Sequence, residues 1–471
     1  MATLPTKESM RSGLLAFLNV PISFMGLAFF RSWLSLLTHE NLLVGLDGLA
    51  HDIVLAAVLL ILALLATRIS PISQRHWPLA SATVLAVLSS TGALILTTLN
   101  SSTLNPAAGI LLGSVAACAS ALFILLWCEL YSRLDITKAA LSLSTSFILA
   151  VFINVLLDGM IVPYRHVALI VLPLLSTACF MRATTVAPRS PVTTRNTKLC
   201  FPWQLLVLIA MYYLASGICM GTAETSSLVF KNISNALAGL LVLVPLTLFS
   251  GSFDLQRILS SPLIVLVCVL LLLPFTGEGT NENLVAVTTS LGAALFELAV
   301  FLLLCDISHR HRIPAVFLFG IEEAAAVFQS TGIAIGGRGE LLASHGLSTS
   351  LLVITLVALT AVATLFFFKD SGVGSKWGVG VFGPGRISQE HEAQERVRQA
   401  CALLTKQCGL TTRESEVLAL LAAEKGISDI CDELSIARGT AKAHCEHIHS
   451  KTGVRSKGQL LEKLETLVTA Q

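Results

Sequence analysis

Apolar stretches about as long as a bilayer is thick recur from residue 13 to residue 368. They fall at 13–37, 49–67, 77–98, 107–128, 139–161, 166–181, 202–221, 232–250, 259–275, 284–305, 313–336 and 346–368. A helix needs about 20 residues to cross the hydrocarbon core. Most stretches reach that length; those at 166–181 and 259–275 are short. Continuous helices also pair their own backbone N–H and C=O groups, which lipid demands. The expectation is an all-α chain whose first 368 residues form a polytopic membrane bundle of about twelve spans. Charged residues are only 13% of the chain against 54% hydrophobic, about half the usual charged share of roughly 25%. Such a chain cannot cover a soluble globule with polar surface.

Lysine and arginine set the orientation. With twelve spans, one set of loops holds Arg68, Arg75, Arg133, Lys138, Arg182, Arg189, Arg195, Lys198, Arg257, Arg310 and Arg312. The opposite set holds Arg31, Arg165, Lys231 and Arg338. The basic-rich side is expected to face the cytoplasm, which places both termini there in a multi-pass plasma-membrane protein. The first apolar run is long and no A-x-A-like site follows it, so it reads as a span and not as a cleavable signal. Cys118, Cys128, Cys179, Cys219, Cys268 and Cys305 lie in apolar runs, where cysteine acts as a small hydrophobe. No CxxC occurs, and the spacing suggests no disulfide framework.

Ionisable residues inside spans are costly and mark functional sites by default. Glu297 lies well inside the tenth span, and Glu322 and Glu323 lie near the middle of the eleventh. Asp52, Asn154, Glu129, Asp158 and Arg31 lie nearer span ends. One reading is a central pocket for a small-molecule ligand, faced by Glu297 and Glu322 with Glu323, Asp52 and Asn154 as further candidates. The other is helix–helix pairing, or placement at the interface. Glu322 and Glu323 are adjacent and cannot share one narrow helix face, so one of them is expected to contact a neighbouring helix. The longest loop between spans, 182–201, follows the sixth. A six-plus-six division with a long cytoplasmic centre resembles the major facilitator architecture. The G-x-x-x-D-R-x-G-R loop of that family is missing; the second loop here reads ATRISPISQRHWP.

Residues 369–409 form a linker. Six glycines in the segment from Asp370 to Arg386 suit a flexible tether, and Lys369, Lys376 and Trp377 are placed to touch membrane lipid. From Ser388 the composition turns helical, with Val397, Ala400, Cys401 and Leu404 at helical spacing. That helix is expected to dock on the unit that follows, with a dimer contact as the alternative.

The tail, 410–471, reads as four helices. Thr411 with Glu414 is a capping box ahead of Val417, Leu418, Leu420 and Leu421. Gly426 opens a short helix with Ile427, Ile430 and Leu434 inward. Ser435-Ile436-Ala437 is a tight connection to a third helix, from about Arg438 to Thr452, with Gly453 where a left-handed cap is wanted. Ser456 with Gln459 opens a fourth helix carrying Leu460, Leu461, Leu464 and Leu467. Two helices joined by a three-residue turn, the second one basic, is the geometry that enters the major groove.

These residues resemble the LuxR-type, or NarL/FixJ-like, DNA-binding domain. Leu410, Thr411, Arg413, Glu414, Val417, Leu418, Ile430, Leu434, Ile436, Thr440, Lys442, His444, Ile448, Lys451, Gly453, Val454, Ser456 and Leu460 carry the likeness. Departures are Ala437, where relatives have a capping serine, Ala441, Cys431, Thr452, and Glu446 where some relatives carry a base-contacting lysine. The resemblance implies Thr440 and Lys442 as groove contacts and Arg455 and Lys457 as phosphate contacts, with Arg438, His444 and Lys451 also on the DNA-binding surface. The tail holds eight Lys/Arg against nine Asp/Glu, yet from Arg438 to Lys457 five basic residues face Glu446 alone. The string His444-Cys445-Glu446-His447-Ile448-His449 has metal-like spacing but no second ligand cluster, so no metal is expected.

No Ser/His/Asp arrangement, P-loop or GxGxxG stands in a productive frame. The expectation is a non-enzyme without cofactor: a membrane-embedded one-component transcription regulator whose bundle senses a ligand and whose tail binds double-stranded DNA as a homodimer. It is similar to membrane-tethered LuxR-type regulators of gut actinobacteria, which have twelve-span N-terminal regions. Two alternatives stand beside this: a major facilitator-type transporter with a regulatory tail, and a tail that has become a protein-docking module.

Overall fold

The computed structural model describes residues 21–39, 48–98, 106–188, 201, 203–222, 228–248, 281–311 and 313–338. In the tail it describes 400–401, 403–405, 407–422, 431, 434, 437–454, 459–460 and 463. Among these residues there is no strand. The chain divides into two units, Met1–Val381 and Phe382–Gln471.

In the first unit a 3-10 turn, Ile22–Gly26, leads into α1 (Leu27–His39). Then follow α2 (Gly48–Leu64), the short α3 (Ala66–Ile69), α4 (His76–Thr98), α5 (Pro106–Tyr131), α6 (Ile136–Asp158) and α7 (Val162–Val186). The second half has α8 (Trp203–Thr222), α9 (Leu228–Leu248), α10 (Asn281–His311), α11 (Ala315–Ala325) and α12 (Val327–Gly336). Among the described residues seven helices are long and apolar enough to cross a membrane, or eight if the bent pair α2–α3 is one span. Helices overlap every expected span except 259–275 and 346–368; these two, and 13–20 of the first span, lie outside the described residues.

Two groups of helices form, α1–α7 and α8–α12. They meet chiefly where α9 lies on α6 and where α11 and α12 lie on α2. Helix α10 is buried almost all round, as a helix apolar on every face should be. Lipid gives no hydrophobic drive to helix pairing, so close backbone approach must supply it. The α8–α12 contact shows how. Gly217 and Gly221 lie one turn apart on α8, and a Cβ built at either would overlap the carbonyl oxygen of Gln329 or Ile333 on α12.

Several basic residues assigned to loops lie inside helices. In the basic-poor set Arg31 is mid-helix in α1, Lys231 is the fourth residue of α9 and Arg165 the fourth of α7; in the basic-rich set Arg68 lies in α3, Lys138 in α6, Arg182 in α7 and Arg310 in α10. A span boundary placed by hydropathy alone stops at a charged residue, because hydropathy cannot see what that residue faces.

The tail's core gathers Leu410, Val417, Leu418 and Leu421 with Ala441, Cys445, Ile448 and Leu460. Ala400 and Leu404 are buried in the same cluster, so the segment before the domain docks on it. Among the described residues of the tail are α13 (Thr412–Ala422) and α14 (Arg438–Thr452).

Candidate functional site

The capping box at the start of α13 is reciprocal. The Thr411 N–H donates to Glu414 Oε2 at 2.7 Å, and the Glu414 N–H donates to Thr411 Oγ1 at 3.3 Å. Glu414 is buried, and Lys451 of α14 donates to its Oε2 at 2.7 Å. The Lys451 ammonium first, then the Thr411 N–H, hold this carboxyl down at about 2. Burial pulls weakly the other way. One carboxylate therefore starts α13 and clamps α14 against it.

Helix α14 buries Ala441, Cys445, Ile448 and Thr452, a stripe at i, i+4, i+7, i+11. Its C-terminal cap is Gly453 at φ 70°, with the Gly453 N–H satisfied by Ser450 O and the Val454 N–H by His449 O. Its N-cap, Ala437, makes no side-chain cap bond. On the flanks of the buried stripe, Arg438, Thr440 and Lys442 are exposed and His444 is half-buried. Arg438, Lys442 and Glu446 follow one flank at i, i+4, i+8. Thr440, His444, His447 and Lys451 follow the other, on the side of Glu414. Lys451 is thus spent on holding the fold, whereas Lys442 projects with no ion pair among the described residues. Arg455 and Lys457 lie outside the described residues, as do the Gly426 cap and Ser456.

In the bundle the sequence-selected acids meet partners that composition did not reveal. Arg31 of α1 pairs with Glu297 of α10, through a close contact between Nη1 and Oε1 and a 3.5 Å contact between Nη2 and Oε2. The guanidinium also lies 3.9 Å from the centroid of the Phe147 ring. Glu322 is buried and accepts from the Tyr213 hydroxyl of α8 at 2.8 Å. Glu323 lies within electrostatic reach of Glu297 and Arg31, and Glu322 within reach of Glu323 and Glu297. Of the adjacent glutamates, Glu322 bonds a neighbouring helix. Asp52 of α2 accepts from Ser330 of α12 and lies 3.1 Å from His51 Nδ1. Asn154 of α6 donates to Asn232 of α9 at 3.1 Å. Three of these contacts, Arg31–Glu297, Asp52–Ser330 and Asn154–Asn232, join the first group of helices to the second.

Lys231 was missed. It lies within electrostatic reach of Arg31, Glu297 and Asp52. A signal existed in its spacing, because Lys231, Ser234, Ala238 and Val242 form one inward stripe of α9.

A second polar knot closes the loop after α3. Glu129 of α5 accepts the N–H groups of Ile72 at 2.9 Å and Ser73 at 3.1 Å, and Arg133 at 3.0 Å. Both charged side chains are buried. This carboxylate takes up backbone donors that an apolar chain end would leave unpaired.

With the geometry described, likeness to known proteins can be placed on it. Residues 409–464 match the luxR family of bacterial regulatory proteins. The tail is therefore a LuxR-type helix-turn-helix domain, a class that binds DNA. The bundle is similar in fold to a solved proton:xylose symporter of the major facilitator superfamily, at TM-score 0.51 and 13% identity. That likeness covers 77% of this chain and 96% of the symporter. A bacterial homologue of the iron transporter ferroportin is a looser likeness, at TM-score 0.48 and 14% identity, over 77% of this chain and 100% of that one. No curated protein matches the chain. The chain joins a major facilitator-like membrane bundle to a LuxR-type DNA-binding domain.

Proposed function

We propose that this chain is a membrane-embedded one-component transcription regulator, in which the bundle responds to a small molecule and the tail binds promoter DNA. The observation that carries this is the union in one chain of a LuxR-type domain and a multi-pass bundle with charged side chains inside it. We read the protein as a non-enzyme, because its sequence shows no Ser/His/Asp arrangement, P-loop or GxGxxG in a productive frame. The lysine and arginine bias puts both termini in the cytoplasm, where the tail can meet DNA. Two tails on two half-sites supply the affinity that one domain without a net positive charge lacks.

A ligand shifts output only if it binds two bundle states unequally. The contacts linking the two helix groups are the natural place for that difference. The test is to map genome binding of the full chain, then screen small molecules against a reporter at a bound promoter. A compound that alters the reporter without altering membrane level supports the reading; absence of any specific promoter binding overturns it.

The fold likeness to a symporter favours one second reading, a transporter whose tail is regulatory. Purified protein in liposomes separates the two: substrate flux supports the transporter, and ligand binding without flux supports the regulator.

A further inference from the structure

Lys231 combines two properties that do not go together in a close-packed helix. It is densely surrounded by protein, and it lies on the inward stripe of α9, opposite the lipid-facing Val229, Ile233, Leu237, Leu240 and Val244. Yet its side chain keeps a large accessible surface. Together they mean that Lys231 borders a hollow inside the bundle. Neighbouring charges share the pattern: Arg31 and Glu297 retain 24% and 39% of their side-chain surface, and Asp52 retains 34%.

The ammonium of Lys231 has no hydrogen bond or ion pair among the described residues, while Arg31 is already held by Glu297. A cation in a hollow of low dielectric is costly until an anion or water meets it. Acids within its reach are committed elsewhere, Glu297 to Arg31 and Asp52 to Ser330 and His51.

We propose that this hollow is a binding site for a small oxyanion, such as a carboxylate or phosphate group on the ligand. The anion would sit between Lys231 of the second helix group and Arg31 of the first, and displace Glu297 from Arg31. Arginine suits this role, since its planar fork binds an oxyanion with two parallel bonds, and the Phe147 ring below keeps the fork oriented. The exchange replaces one bridge between the helix groups with another of different geometry. That gives the ligand unequal affinity for two bundle states. The proposal rests on the reading of the bundle as the ligand-responsive part, and it adds the chemistry of the ligand.

The test uses the full chain in detergent or nanodiscs and reads its thermal unfolding midpoint. Probes are phosphate, acetate, benzoate, succinate and citrate, with glucose and a quaternary amine as neutral and cationic comparisons, at constant ionic strength. At least one oxyanion should raise the midpoint and the comparisons should not. Lys231→Met should remove the rise and Lys231→Arg should keep it. Glu297→Gln should act in the opposite direction. With its competitor for Arg31 gone, the anion should bind about tenfold tighter, the worth of one charge-assisted hydrogen bond. No oxyanion response, or a response kept by Lys231→Met, or weaker binding in Glu297→Gln, overturns the site. Tail binding to promoter DNA is measured in parallel. Oxyanion binding with the expected variant pattern but unchanged DNA binding would leave the site standing and sink the sensing role. A DNA response to a neutral compound alone would do the reverse.

Discussion

Glu414 of the tail and Glu297 of the bundle each hold a basic side chain, Lys451 in one case and Arg31 in the other. Glu414 works locally. It closes a capping box with a residue three positions back and a clamp with a helix in the same small domain. Glu297 works over a separation of 266 residues and joins two groups of helices. The difference follows from where the partner lies. Glu414 is buried, but its partners belong to one small domain, so the carboxylate finishes one helix end and clamps the next helix. Glu297 finds its partner on a distant helix, and such a partner is also a joint that can open.

The sharpest way to break this comparison is Arg31→Leu, which strands Glu297. Removing one partner of a buried pair costs roughly 3–5 kcal/mol, and the accessible surface of this pair puts the expectation near about 3. Unfolding of the purified chain should show it, and the double variant Arg31→Leu/Glu297→Leu should recover most of the loss. An Arg31→Leu midpoint equal to that of the native chain would mean the bridge carries no stability.

Glycines sharpen the same contrast. Gly217→Ala drives a methyl into the Gln329 carbonyl, and overfilling of this kind should cost about 2 kcal/mol in the bundle. Gly439→Ala in the tail meets open space and should stabilise α14 by up to about 1 kcal/mol. Equal effects at both sites would show that α8 and α12 separate more easily than their contact suggests.

Two lysines on α14 should divide in the same spirit. Lys442→Ala should weaken promoter binding by about 1.5 kcal/mol, near tenfold, with the tail's stability unchanged. Lys451→Ala should instead lower stability, because Glu414 loses its clamp. A gel-shift titration beside a melting curve separates them. If Lys442→Ala alters only the salt slope, the lysine touches phosphate and not a base.

The smallest effect concerns acid. Glu414 is held near about 2, below the usual carboxylate value of 4.5. Its stabilisation is therefore complete above about pH 4.5 and is lost as pH falls through 2. Glu414→Gln should cost the isolated fragment from about Ser388 about 1 kcal/mol at neutral pH, the worth of a cap. The variant should also lose stability less steeply between pH 4.5 and 2. Parallel curves for the two proteins would sever Glu414 from the acid response.

Much of the tail was legible in the chain because its devices are short-range. The capping box needs Thr411 and Glu414 three residues apart, the left-handed cap needs Gly453, and the inward stripe of α14 needs only helical spacing. The structure has all three. The apolar runs were legible for the same reason, since spanning length is a property of one segment. Lys231 and Tyr213 were not legible as site residues, and Arg31 was legible only as a charge near a span end, because each acquires its role from a helix far away in sequence.

By itself, then, the sequence determined that the chain is helical, that its larger part belongs in a membrane and that a LuxR-type reader follows. Those properties depend on hydropathy, spacing and caps, which act within a turn or a span. Only the tertiary structure decided which charges meet. Glu297 took Arg31 and Glu322 took Tyr213, while Glu323 and Lys231 came within electrostatic reach of Arg31 and Glu297. The physical reason is that pairing in a low dielectric is set by which helix faces are brought together, and no local pattern in the chain records that.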